Sequence, residues 1–255
     1  MDYEQIRYET RGPIATITLD RPERLNAWTP RMSREMWHAI ERSNEDAALG
    51  AIVVTGAGRG FCAGADIGGF KERIESSEEL TVGGDWVELC RSSKPLIAAV
   101  GGACVGVGMT MILPFDVIVA SERARFGMFF IKMGVVPELA STHFLVQRVG
   151  FTKATEMCLS GRLYSASELA GHGLFNSVVP PDELLPRAEE LASEIAANPD
   201  PQLRMIKDLL TRNGTEPDLK TVQQRELELL KRCYETPEHA EAVEAFTERR
   251  QPRFR

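Results

Sequence analysis

Apolar and polar positions alternate first with the period of a strand and, late in the chain, with that of a helix. Ile6 to Thr10 and Ile14 to Leu19 read as two strands joined by Arg11-Gly12-Pro13. In the second, Ile14, Thr16 and Thr18 alternate with Ala15, Ile17 and Leu19, which predicts an antiparallel hairpin. Arg21 to Trp28 is a loop. Thr29 as N-cap and Pro30 in the first turn open a helix to about Asp46, with Met32, Met36, Ala39 and Ile40 on one face. Ala51 to Thr55 is a buried strand, Gly56 to Gly60 a sharp turn, and Phe61 to Ile67 an extended piece of small residues. A polar stretch through Glu79, expected to be mobile, and a helix to Cys90 follow.

The centre of the chain is Leu96 to Thr142. Leu96 to Val100 is a short apolar run that reads as a buried strand. Glycines at 101, 102, 106 and 108 then mark backbone that turns sharply or lies close to something. Val107 to Leu113 is apolar and is stopped by Pro114, and Phe115 to Ala120 predicts a second buried strand. Phe126 to Met133 is apolar again and ends at Gly134. Val135-Val136-Pro137-Glu138-Leu139 sets a carboxylate in an apolar surround, with Pro137 suited to the first position of a new helix. Helices are expected from there to Val149, over Lys153 to Leu159 and over Ala166 to Ala170, and Asn176 to Val179 closes the region as a strand. After Pro181 strand signals disappear: Leu184 to Ala197, Gln202 to Thr211, Leu219 to Tyr234 and Glu238 to Arg249 are helical. Asn198-Pro199-Asp200-Pro201 divides a strand-rich body, residues 1–198, from a helical region, residues 199–255. Four amphipathic helices in series rarely bury their apolar faces alone, so this tail is expected to pack on a neighbouring subunit.

Composition narrows the function classes. The 255 residues are 43% hydrophobic and 26% charged, as in a globular protein that buries its own core. A net charge of −7 argues against a nucleic-acid or anionic-membrane surface. Glycine, proline or charge interrupts each long apolar run, so no membrane-spanning segment is expected. The first residues, MDYEQIRYET, lack the apolar core of a signal peptide. Five cysteines with no CxxC pair suggest reduced thiols and a cytoplasmic setting.

Candidate chemistries are few. Gly56-Ala57-Gly58-Arg59-Gly60 is not GxGxxG and opens no helix pattern, which argues against a dinucleotide loop. No GxSxG elbow, HExxH or EF-hand loop occurs, and no cysteine–histidine cluster resembles a zinc site, so no metal is expected. His38, His143, His172 and His239 are scattered and read as surface or packing. Glu138 beside the glycine-rich turn suits anion stabilisation coupled to proton transfer. It also has a plainer reading, because an acid in a first helical turn gains roughly 0.3–1 kcal/mol from the helix dipole alone. Asp66 as a turn residue and Gly101 to Gly108 as tight packing are the corresponding plain readings there.

Four stretches are familiar together: LDRPERLNAW (Leu19 to Trp28), GRGFCAGADI (Gly58 to Ile67), the run from Lys94 to Gly127, and AFTERRQPRF (Ala245 to Phe254). Through them the chain resembles the crotonase superfamily, the enoyl-CoA hydratase/isomerase family, over essentially its whole length. The resemblance implies an α/β fold, a crotonase-like ββα spiral with a C-terminal helical trimerisation region. It implies acyl-CoA substrates of fatty acid metabolism, with no cofactor beyond the coenzyme A carried by the substrate, and a homotrimer or hexamer. By motif position the backbone N–H groups of Ala65 and Val107 would hold the thioester oxygen. Val107 departs from hydratases, which usually carry glycine there, but its N–H remains. Ala63, Ala65, Asp66 and Ile67 would line the substrate site. Arg24 would approach the CoA phosphates, and Phe246 and Arg249 would reach CoA from the adjoining subunit. The plainer reading of that basic tail is an ordinary solvated surface.

The acids depart from the hydratase pattern. Family hydratases use two glutamates to grip a water, and at those positions this chain has Thr110 and Phe130. Its glutamate sits instead in GVVPELAST, which resembles the Pro-Glu-x-x-Ser-Ser of 3-enoyl-CoA to 2-enoyl-CoA isomerases. An isomerase needs one acid/base, because the proton taken from C2 returns at C4. The expectation is an isomerase with Glu138 as proton shuttle. The alternatives are an enoyl-CoA hydratase of fatty-acid oxidation, in reaction class a lyase, which would need Asp66 or Glu156 as a second acid, and an inactive acyl-CoA-binding relative. Burial of Glu138 is expected to outweigh the helix dipole and raise its pKa.

Overall fold

The hairpin pattern becomes β1 (Ile6–Arg11) and β2 (Ile14–Leu19), paired antiparallel from Ile6↔Leu19 to Arg11↔Ile14. The computed structural model describes residues 1–66, 68 and 85–255. The polar stretch through Glu79 and Ile67 therefore lie largely or wholly outside the described residues. From β2 onward the first sheet is parallel, through β3 (Ala51–Gly56), β5 (Leu96–Val100), β7 (Val117–Ser121) and β10 (Ser177–Val179). A second ladder holds β4 (Gly60–Cys62), β6 (Ala103–Val105) and β8 (Arg125–Gly127) in parallel, with β9 (Tyr164–Ser165) antiparallel at its edge. The chain passes from β3 to β4, from β5 to β6 and from β7 to β8, so each coil lays one strand in each ladder. This is a ββα spiral.

The central strands are near-continuous apolar runs, broken only near their ends by the buried Thr55 and Ser121, because both faces are covered, as in parallel sheets generally. Ile52, Val54, Ala98, Val100, Ile118 and Ala120 face the main core. That core also holds Met32, Met36, Ala39 and Ile40 from helix α1 (Pro30–Glu45). The Thr29 hydroxyl accepts from Met32 N–H and caps that helix. Ala51, Val53, Ile97, Ala99, Val117 and Val119 face the other way, against Leu184, Ala188, Ala192 and Ala196. These four recur every fourth residue on one stripe of the helix Leu184–Ala196, and three of them are alanines, which lets the helix lie close to the sheet.

Two expectations change, at Phe115 and at Pro137, and a third holds. The strand expected from Phe115 begins at Val117, because the chain is still turning: Phe115 N–H donates to Ile112 O and Asp116 N–H to Leu96 O. The separate helices expected to Val149 and from Lys153 are both present: the span α4 (Ser141–Ser160) is broken between them at Gly150, whose φ 76° and ψ 161° are not helical. The helix expected from Pro137 begins only at Ser141. Leu139 and Ala140 adopt φ 56° and 52°, a left-handed reversal that a helix start at Pro137 cannot contain. Glu138 thus lies outside the first helical turn, and the dipole reading of it falls.

The tail is helical as expected: α7 (Asp200–Asn213), α8 (Leu219–Tyr234) and α9 (Pro237–Glu248), where α5 and α6 are Ala166–Leu169 and Leu184–Ala196. Helix α7 is fastened to the body by charge. Lys207 is 4% exposed, and its Nζ reaches Asp116 Oδ2 at 2.7 Å, Cys90 O at 3.0 Å and Lys94 O at 3.2 Å. Arg91, from helix α2 (Trp86–Ser92), pairs with the other oxygen of Asp116 at 2.9 Å. Among the described residues no helix is long and apolar enough to cross a membrane.

Candidate active site

Two backbone N–H groups point away from their own ladders. Trp28 N–H donates to Gly64 O and Asp66 N–H to Trp28 O, at 2.8 and 2.9 Å, forming a parallel bridge between Trp28 and Ala65. Such a bridge uses the groups flanking Ala65, so the N–H of Ala65 itself faces the opposite side. No described residue accepts from it. Val107 opens the short helix α3 (Val107–Thr110), and the first N–H groups of a helix have no partner within it. Met109 N–H and Thr110 N–H return to Gly106 O, while no described residue accepts from Val107 N–H.

The two donors are neighbours because β4 and β6 are. Cys62 pairs with Cys104, and a Cβ placed on Gly106 would lie 3.7 Å from Gly64 Cα, so the strand ends stay in contact as they leave the ladder. Gly106 holds φ 55° and ψ −125°, a conformation that side chains forbid, and this turn is what aims the Val107 N–H outward. Gly108 is required by packing, since a Cβ there would stand 2.2 Å from Cys62 O.

Glu138 faces this turn. The buried Thr110 hydroxyl donates to Glu138 Oε1 at 2.5 Å, and no described residue donates to Oε2. Val107 and Thr110 are three residues apart on one helix face, so the outward N–H and the carboxylate's partner move as one unit. Burial pushes the Glu138 carboxyl above the usual range, and the Thr110 hydrogen bond pulls it back in part. The direction is the expected one, but the opposing influence is a hydroxyl and not a helix terminus.

The other candidates are placed as follows. Ala63 is half-buried and donates its N–H to Leu25 O at 3.1 Å. Asp66 is committed elsewhere: Gly68 N–H donates to one oxygen and Arg21 holds the other at 2.8 Å, keeping its carboxyl below the ordinary value. Ile67 lies outside the described residues. Arg24 is exposed in the turn Pro22–Arg24. Phe246 is 87% exposed on α9, and Arg249 is exposed at its C-terminal cap. No hydrogen bond or ion pair among the described residues links either of them to Ala65, Val107 or Glu138. Phe130 packs partly buried against the main core. Glu156 is bound by Lys153, Arg162 and the Tyr164 hydroxyl, and those hydrogen bonds lower its pKa to about 2.

The enoyl-CoA hydratase/isomerase profile matches residues 9–255. The chain belongs to that family, whose members act on acyl-CoA thioesters. A protein of Rhizobium meliloti (strain 1021) named a probable enoyl-CoA hydratase is 35% identical over 257 residues, covering 100% of this chain and 99% of its own. The short-chain-enoyl-CoA hydratase of Clostridium acetobutylicum is 33% identical over 254 residues, covering 98% of this chain and 97% of its own. The crystal structure of an enoyl-CoA hydratase from Mycobacterium tuberculosis H37Rv superposes with a TM-score of 0.87 at 30% identity, over 98% of each chain.

The resemblance marks Thr110 only as a missing acid, and its hydrogen bond to Glu138 is not visible in the motifs. Its spacing of three from Val107 on a helix is the one signal that ties it to the site. Asn26 is likewise silent in the sequence. Fully buried, it accepts from Arg21 N–H and donates to Ala57 O and Gly60 O, which pins the loop carrying Trp28 against the turn before β4. Among the described residues no group of three or more His, Cys, Asp or Glu could hold a metal ion.

Proposed function

We propose that this family member is an enoyl-CoA isomerase that moves the double bond of a 3-enoyl-CoA to the 2-trans position. The observation that carries the reading is an acid that stands alone among the described residues. Glu138 is partly buried and oriented by Thr110, and among the described residues no second carboxylate is hydrogen-bonded to either. Asp66 and Glu156, the two candidates for a second acid in hydration, are occupied by cations and N–H or O–H donors.

In the reaction Glu138 takes a proton from C2, and the C2–H electron pair moves toward the thioester oxygen. The resulting dienolate oxygen receives hydrogen bonds from Ala65 and Val107 N–H, each worth roughly 2.7–4 kcal/mol where such donors have been removed. Glu138 returns the proton at C4, leaving the double bond between C2 and C3. A carboxyl whose pKa is raised by burial takes the C2 proton as a stronger base, and holds it for return to C4 more firmly, than a free glutamate would.

Arg24, Ala63, Asp66, Phe246 and Arg249 complete the acyl-CoA site in this reading, the last two from an adjoining subunit of a homotrimer or hexamer. Its five unpaired cysteines fit a cytoplasmic setting. Hydration is the second reading, favoured by the names of the relatives. Turnover of 3-hexenoyl-CoA and crotonyl-CoA in one preparation separates the two. Isomerisation is expected to be much the faster; comparable kcat/KM values would favour the hydratase, and turnover of neither would point to a binding protein.

A further inference from the structure

We propose that Thr110 is the positioning residue of the proton shuttle, and that its hydroxyl sets both the aim and the working pH range of Glu138. The inference rests on Glu138 acting as the base. Thr110 is fully buried, and its hydroxyl has two acceptors within reach: Glu138 Oε1 at 2.5 Å and Val107 O at 3.4 Å. A hydroxyl carries one proton, and an ionised carboxylate is the stronger acceptor, so the ionised base draws the bond to itself.

This has two effects. Oε1 is held, which leaves Oε2 as the oxygen that faces a substrate proton. Burial disfavours the charged form of Glu138, while a hydrogen bond donated to that form favours it, so Thr110 offsets part of the burial and favours the ionised base. Glu138 sits on a segment with two left-handed residues just behind it, Leu139 and Ala140, and has no helix of its own to fix its direction. Thr110 instead lies on the helix that begins with the Val107 N–H. The oxygen-stabilising donor and the base are thereby kept at a fixed offset by a single turn of backbone.

The test compares wild type, Thr110→Val, Thr110→Ser and Glu138→Gln on 3-hexenoyl-CoA and crotonyl-CoA over a pH series, following whichever thioester the wild type turns over. Valine matches threonine in shape but lacks the hydroxyl. Thr110→Val is expected to lower kcat about 10- to 100-fold at neutral pH, the range for losing a hydrogen bond to a charged group, with KM little changed. Its acidic limb should move to higher pH, because an unassisted carboxylate protonates earlier as pH falls. Thr110→Ser should restore the limb and most of kcat. A Thr110→Val profile that superposes on wild type overturns the proposal, as does a serine variant that behaves like valine. If valine fails to fold, serine is read alone: a displaced limb despite the retained hydroxyl overturns it. Glu138→Gln distinguishes the two levels. If it is inactive while Thr110→Val is unchanged, only the positioning role is lost; if it is fully active, the base assignment and this inference fall together.

Discussion

At the scale of single residues the balance around Glu138 governs activity. Glutamine at 138 keeps the shape and removes the base, so kcat should fall at least ~10²-fold in stopped or continuous assays while acyl-CoA affinity holds. The sign of the pH effect follows from the raised carboxyl. Proton abstraction needs the ionised form, activity is lost as pH falls through the folded-state pKa, and a raised pKa places that loss at higher pH than a free glutamate would. A wild-type acidic limb at the position of an unperturbed carboxyl would remove the role given to burial. The acid itself was legible in the sequence because its apolar neighbours Val135, Val136 and Leu139 stand out around it. Its partner was not, since a threonine in an apolar run carries no mark of what its hydroxyl faces. Only the fold, by bringing segments 28 residues apart into contact, reveals it.

At the scale of elements, the strands were legible where period and punctuation agreed. Leu96–Val100 is observed with the bounds expected, and β2 likewise, because each is bounded by Gly, Pro or charge. The helix start at Ser141 was not, because Pro137 signals a favourable first turn while the left-handed Leu139 and Ala140 are imposed by tertiary contacts that no local propensity encodes. The docking of α7 was equally hidden. Asp116 holds Lys207 and Arg91 and also accepts from Leu96 N–H, so it joins three elements at the start of β5. Asp116→Asn would leave two partly desolvated cations with a neutral partner. Breaking such a buried pair costs about 3–5 kcal/mol. A fall in melting temperature on the order of 10 °C is therefore expected. Activity per folded molecule should be nearly unchanged, as Asp116 touches neither donor nor Glu138. An unaltered melting curve would show that the carbonyls of Cys90 and Lys94 suffice to hold Lys207.

At the scale of the whole molecule, the tail helices leave much apolar surface uncovered: Ile206, Leu210, Leu219, Leu227, Leu230, Tyr234, Val243 and Phe246 are all exposed. Surface of that extent favours association. Sedimentation at micromolar concentration should give a trimer or hexamer, and a monomer would count against the expectation that Phe246 and Arg249 serve a neighbour's substrate. The spiral itself has a different consequence. Ala65 follows the first strand of the second ladder, Val107 the second, and Glu138 comes after the third, so each functional group is contributed by a successive coil. The coils that cradle the developing negative charge are thus separate in the chain from the coil that handles the proton. Variation after β8 can relocate or delete an acid such as Glu138 while both donors stay in place. An acid at position 110, by contrast, would sit on the very helix that opens with the Val107 N–H. Passing from one reaction on a shared enolate to another therefore means rewriting the stretches that follow the second and third strands of that ladder.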